Sequence, residues 1–206
     1  MGTIPRFEAD VLPRSLAVEP PLSDAELEAF CLKNEDVQIE RTREGTIRMN
    51  PPTGAFTGDG SSEINHQLRS WWHTHHKGRV FDSSTGFFLP DGSMLSPDAS
   101  YVLPEQLAGI AKARYAGFLR LCPAFVVELL SASDSLAETS KKMQCWIENG
   151  TQLGWLIDPY RQQVTVYQPD AEPAGFSSQV LEGSGPVRGF SLDLSKVWRC
   201  YQIPDR

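Results

Sequence analysis

The run Phe125-Val126-Val127-Glu128-Leu129-Leu130 constrains this chain more than any other segment. Every residue in it except Glu128 is apolar, and none breaks an extended backbone, which is the pattern of a central strand covered on both faces. Such a strand needs neighbours on either side and layers above and below it, so the chain must build a sheet with helices packed on it. Glu128 sits inside that run. An ionised carboxylate buried there costs several kcal/mol unless a cation or a metal compensates it. The same six residues therefore predict an architecture and point to a candidate site.

The rest of the pattern surrounds that strand with mixed elements. Ser23 and Glu26 form a capping-box signature, predicting a helix to about residue 33. Residues 37–49 alternate and predict a hairpin around Glu44-Gly45. Residues 50–60, rich in proline and glycine, read as a loop. Residues 61–76 follow as a helix with Ile64, Leu68, Trp71, Trp72 and His75 on one face. Short strands are expected at 80–81, 87–89, 94–95 and 99–103, with Pro90-Asp91-Gly92 as a turn. Residues 103–119 read as helical in one or two pieces. A helix over 135–149 opens on the capping-box pair Ser135/Glu138 and closes at Asn149-Gly150. Strands at 153–157 and 164–167, then near Val180 and Phe190, complete the chain. The expected fold is α/β in the α+β sense, a central mixed sheet flanked by helices. Residues 1–22 form an irregular arm, and residues 23–206 a single domain, a size with room for a substantial core.

Composition narrows the function. The formal net charge of −7 argues against a protein that coats nucleic acid non-specifically, because phosphate binding is driven by Lys and Arg. It does not exclude a nuclease, whose metal-holding acids themselves lower the charge. No apolar run approaches the roughly 20 residues of a membrane span, and the first ten residues lack a secretory signal, so the expected location is cytoplasmic. The cysteines, Cys31, Cys122, Cys145 and Cys200, are scattered without a CxxC pair, which predicts reduced thiols and no structural zinc.

Asp98 follows Pro97 and opens the strand expected at 99–103. With Glu128 it would set two carboxylates on neighbouring strands, a hard-oxygen site suited to Mg²⁺; the alternative is that Glu128 pairs with a buried Arg or Lys. At about 100° per residue, Leu136, Met143 and Ile147 define the buried face of the helix over 135–149. Lys142 lies at the edge of that face and Lys141 nearly opposite, so of the two only Lys142 reaches Glu128; the alternative is a surface pair with Glu138. Glu63 lies at the edge of the apolar face of its own helix, one turn from Gln67, either as a site residue or as a first-turn acid favoured by the helix dipole. His66, His73, His75 and His76 diverge around that helix, which argues against zinc. The tryptophans read as core.

Four segments together carry a family resemblance: Ser96-Pro97-Asp98-Ala99-Ser100; Cys122-Pro123-Ala124 with the strand run and Ser131; Lys142; and Leu153-Gly154-Trp155-Leu156-Ile157-Asp158-Pro159. They resemble the Uma-two family, restriction-endonuclease-like proteins of the PD-(D/E)XK class that are abundant in cyanobacteria. Thr57-Gly58-Asp59-Gly60-Ser61-Ser62-Glu63-Ile64 and residues 81–90 resemble cyanobacterial members too, and the likeness spans about residues 50–170. It implies a restriction endonuclease-like core. It matches Asp98 to the PD aspartate and Glu128 to the second acid, both metal ligands, with the main-chain carbonyl of Leu129 as a further ligand. Leu130 stands where the motif has lysine, and the resemblance assigns that role to Lys142 on the following helix. Glu63 matches an acid on the first core helix. The implied activity is Mg²⁺-dependent phosphodiester hydrolysis, with Mn²⁺ as a substitute, on nucleic acid and on DNA in particular, by an enzyme expected to act as a homodimer. Two rival readings are a nuclease-fold protein without catalysis that serves in binding or assembly, and a hydrolase of a small phosphorylated molecule.

Overall fold

The computed structural model describes residues 15–202; positions 1–14 of the expected arm, and 203–206, lie outside the described residues. In chain order the elements are β1 (Ser15–Leu16), α1 (Asp24–Lys33), β2 (Gln38–Arg41), β3 (Ile47–Asn50), α2 (Ala55–His75) and β4 (Arg79–Asp82). Then come β5 (Phe87–Phe88), β6 (Met94–Leu95), β7 (Ala99–Val102), α3 (Pro104–Leu107), β8 (Phe125–Leu129) and α4 (Leu136–Glu148). The last are β9 (Leu153–Asp158), β10 (Gln163–Tyr167), β11 (Ala174–Phe176), β12 (Val180–Glu182), β13 (Ser191–Asp193) and α5 (Leu194–Arg199). They gather into two compact units.

The first unit holds the described residues up to Pro52 with Ser84–Ser96 and Ile110–Leu121. Its sheet is antiparallel in the order β1-β3-β2-β6-β5. Ser15 and Leu16, at the end of the expected arm, pair with β3. The capping box forms as the sequence predicts: Ser23 accepts from Glu26 N–H, and Glu26 accepts from Ser23 N–H. This helix buries Leu27 and Phe30 against Ile39, Ile47, Met49, Phe88 and Met94. Two charged residues are buried in β2. Glu40 accepts from Ser96 N–H at 2.9 Å. Arg41 donates to the carbonyls of Gly92 and Leu22 and to Asp24 at 2.5 Å.

The second unit comprises Thr53–Ser83, Pro97–Gly109 and the described residues from Cys122 on. Its sheet runs β11-β10-β9-β8-β7-β4. β8 and β9 are parallel, joined through α4, and every other pair is antiparallel. The sheet is mixed, and β8 is central and wholly buried, as its apolar run requires. Alternation then divides β8. Phe125, Val127 and Leu129 join Ile64 and Leu68 of α2 in the main core, with Phe190, Leu192, Val197 and Trp198 from the C-terminal elements. Val126 and Glu128 point the other way, towards α4. Gly154 admits that helix, because a Cβ there would overlap the Met143 methyl.

Four local expectations change. The loop over 50–60 ends at Gly54, and α2 starts at Ala55, taking Gly58 and Gly60 into its first turns. Only α3 and a 3-10 turn at Lys112–Ala116 are helical within 103–119, where Gly109 at φ +82° breaks the run. The buried face of α4 is Met143 and Trp146, while Leu136 is 43 % exposed. The Ser135/Glu138 capping box does not form: the Ser135 side chain makes no cap bond, and Glu138 bonds to Lys141 instead. Strand β11 and helix α5 carry no strong sequence signal and were not anticipated. All four cysteines are free thiols.

Candidate functional site

The site is built on two adjacent strands of the second sheet, the central β8 and its neighbour β7. Antiparallel register pairs Ala99 of β7 with Val127 of β8. One step further along that register, position 98 falls opposite position 128. Asp98 is held from two sides. Its Oδ2 accepts from the Leu129 N–H at 2.7 Å, and its main-chain carbonyl accepts from Asn65 Nδ2 of α2 at 2.8 Å. The acid that opens β7 is thus tied both to the strand beside it and to the helix above.

Glu128 is 5 % exposed. Leaving its charge uncompensated in mid-strand would cost several kcal/mol. Lys142 Nζ lies 3.0 Å from Oε1 and 3.1 Å from Oε2, and Trp146 Nε1 donates to Oε1 at 2.8 Å. Both partners come from α4. Their i, i+4 spacing puts them on one helical face, the face that meets the outward side of β8. Lys142 therefore reaches Glu128, as helix geometry predicts, and the alternative pair goes elsewhere: Glu138 bonds to exposed Lys141 at 3.1 Å. Helical spacing and composition alone read Trp146 as core. The signal that could have revealed its polar role was present, since an indole one turn from the lysine must face the same carboxylate.

Leu130 is buried, with its N–H on the Ile157 carbonyl, so the position where the motif carries lysine is apolar and part of the wall. Glu63 is not brought onto the pair. It accepts from Gln67 at 2.9 Å, and Gln67 is fixed in turn by the carbonyl and N–H of Asp193 at 3.1 and 2.7 Å. No hydrogen bond or ion pair among the described residues takes Glu63 to Asp98, Glu128 or Lys142. Its charge acts on Cys200 instead: burial first, then Asp59 and Glu63, push that thiol up to about 11.

Tyr201 was not anticipated. Gly60 lets it in: a Cβ at position 60 would lie 2.8 Å from Tyr201 Cε2 and 3.2 Å from Leu129 Cδ2. The tyrosine hydroxyl is buried and lacks a hydrogen bond. Burial pushes its pKa up to about 12, and Tyr160 and the charge of Asp98 add to that rise.

Among the described residues no three His, Cys, Asp or Glu side chains converge as a metal cluster. The oxygen donors expected from the sequence, Asp98, Glu128 and the Leu129 main-chain carbonyl, would make a smaller set of the kind Mg²⁺ accepts while keeping several waters. The donor chemistry fits that ion.

A mixed sheet carrying acids on two adjacent strands, with a lysine supplied by the crossover helix, defines the restriction endonuclease-like class. Uma2, a family described as "putative restriction endonuclease", matches residues 24–195, and the chain belongs to that family. A solved structure described as a "putative nuclease belonging to DUF820" from Anabaena variabilis ATCC 29413 shares the fold, with a TM-score of 0.68 and 22 % identity. That match covers 82 % of this chain and 93 % of the other. No curated protein matches. No described helix is long and apolar enough to cross a membrane.

Proposed function

We propose that this chain is a divalent-metal-dependent endonuclease that hydrolyses phosphodiester bonds of nucleic acid, DNA being the expected substrate. Membership of the Uma2 family supports nuclease chemistry. The observation that carries the residue assignment is the buried Glu128 bonded to Lys142 and Trp146, across the strand register from Asp98. Asp98 and Glu128 are the metal-holding carboxylates, with the Leu129 carbonyl as a third donor, and Mg²⁺ is the expected ion, replaceable by Mn²⁺. When bound, the ion supplies a more acidic water and neutralises phosphate charge.

The chain's own groups do the rest. Trp146 fixes the Glu128 carboxylate from one side. The Leu129 N–H fixes Asp98, and Asn65 fixes the backbone beneath it. Lys142 holds a positive charge in a largely buried position, where it stabilises charge developing on phosphate oxygens more strongly than a solvated amine would. Glu63 would join as a third acid only by releasing Gln67. Action as a cytoplasmic homodimer, which presents two sites to two strands, completes the reading.

One observation favours a second reading. Leu130 is apolar where the motif carries lysine, which suits a nuclease fold kept for binding alone. Plasmid DNA incubated with the purified chain and Mg²⁺ or Mn²⁺, beside Asp98→Ala and Glu128→Ala, separates the two. Nicking that needs metal and both carboxylates supports the enzyme. No nicking, together with no metal binding by calorimetry, would leave the binding reading. A short nucleotide substrate in parallel tests for a small-molecule hydrolase.

A further inference from the structure

Three aromatic rings from distant parts of the second unit meet beside the candidate site. Tyr201, just beyond α5, stacks on Phe56 in the first turn of α2, with centroids 6.0 Å apart and planes at 27°. Tyr160, in the turn after β9, meets Tyr201 edge-on at 5.5 Å and 80°. Tyr201 is the inner member, packed on Gly60 and Leu129, and Leu129 is the residue whose N–H holds Asp98. The outer members are open to solvent: Phe56 is 45 % and Tyr160 52 % exposed. Large aromatics scattered singly on a surface need no explanation. Two exposed rings gathered on a buried third, which sits at Gly60 on the α2 side of β8 and close enough to feel the charge of Asp98, do.

The charge of the chain bears on what this cluster meets. At a net −7, long-range attraction cannot carry affinity for a polyanion. Stacking of an unpaired base on an aromatic face is insensitive to net charge and tolerant of sequence. Arg161, the residue after Tyr160, is paired with Asp158 and has most of its side chain exposed.

Resting on the nuclease reading above, we infer that Phe56 and Tyr160, seated on Tyr201, form a base-stacking subsite for single-stranded nucleic acid next to the scissile position. The substrate class is then a single strand, or a frayed or looped segment of a duplex. Duplex DNA hides its base faces and gains nothing from these rings.

Fluorescence anisotropy with a labelled mixed-sequence 12-nucleotide single strand tests this. Titrations are run in EDTA, so that nothing is cleaved, and again with Ca²⁺. Wild type binds the single strand more tightly than the matching duplex. Phe56→Ala/Tyr160→Ala weakens single-strand affinity about 5- to 100-fold and leaves the melting temperature and duplex affinity unchanged, while Tyr160→Phe restores the binding that Tyr160→Ala loses. Equal single-strand affinity in wild type and double variant, preference for the duplex, or no binding by wild type would each overturn the subsite. Platform-dependent binding without any metal-dependent cleavage would sink the nuclease reading and leave the subsite standing. Cleavage that needs Glu128 but ignores both rings does the reverse.

Discussion

The chain buries a glutamate in a strand of each unit, and the two are treated differently. Glu40 of β2 is 4 % exposed and Glu128 of β8 is 5 % exposed, so burial does not tell them apart. Their company does. Glu40 accepts a main-chain N–H from Ser96, and the buried cation beside it in sequence, Arg41, turns to two carbonyls and to Asp24. These bonds stitch loops to a sheet. Glu128 instead bonds to an ammonium and an indole from one helix, opposite a second carboxylate. Glu128 is thus marked as a site by the second carboxylate across the register from it, and Arg41 as architecture by the loop carbonyls it ties to the sheet.

The largest expected difference lies in activity. Glu128→Gln reduces metal-dependent nicking to background, and Lys142→Met lowers kcat by about 10²–10³, both read in the plasmid assay. Glu40→Gln keeps an acceptor for the Ser96 N–H and leaves nicking unchanged, at a stability cost of about 1 kcal/mol, the difference between a charged and a neutral acceptor. If Glu40→Gln abolished nicking in a fully folded protein, the contrast between the two glutamates would collapse.

The next effect reverses the comparison. Arg41→Ala leaves the Gly92 and Leu22 carbonyls without the buried guanidinium that now satisfies them, while Asp24 keeps its pair with Arg120. It destabilises by about 2–4 kcal/mol in urea melts, while the folded fraction keeps its nicking rate. The same-sized loss from Lys142→Met, where Glu128 loses its ammonium partner, comes with lost activity. The ratio of lost activity to lost stability separates the two buried charges.

Much of this was legible beforehand, and the exceptions have physical causes. The apolar run at 125–130 placed the central strand because alternation cannot hide a doubly covered segment. The 100° helical step chose Lys142 over Lys141 because one residue turns a side chain through more than a quarter of the helix. The wheel still misjudged its own helix. Leu136 lies in the first turn and stays exposed, and the wheel counts Trp146 as apolar although its N–H bonds to Glu128. Glu63 failed to join the pair because Gln67, tied to Asp193 from 126 residues away, holds it. Nothing local announces such a bond. Tyr201 was invisible for the same reason.

The start of α2 offers a smaller test of how tertiary packing overrides composition. Gly58 and Gly60 made 50–60 read as a loop, yet both are helical. A Cβ on Gly58 would meet only Thr53 Cγ2 at 3.8 Å, so Gly58→Ala stabilises by up to about 1 kcal/mol through helix propensity. A Cβ on Gly60 would crowd Tyr201 and Leu129. Overpacking of about 1–3 kcal/mol then outweighs the same gain, and the melting temperature falls. Opposite signs for two alanines, two residues apart, are the expected result. Like signs would mean that Tyr201 does not pack on Gly60.

The smallest effect concerns the acid that balances Arg41. Burial raises the pKa of Asp24, but the hydrogen bonds from Arg41 and Arg120, with their charges, outweigh it and leave the carboxyl below its usual 3.8. Between the folded and unfolded values the unfolded chain binds the proton and the folded one does not, so stability from this group rises with pH there. Its contribution is complete above the unfolded value and is lost as pH falls through the folded one. Asp24 is more than a third exposed, so water screens much of that contribution. Thermal melts from about pH 6 down to pH 3 should therefore fall slightly more steeply for wild type than for Asp24→Asn, with the curves converging at the acid end. A parallel pair of curves would place the acid sensitivity of the first unit elsewhere and weaken the view that its buried charges are purely architectural.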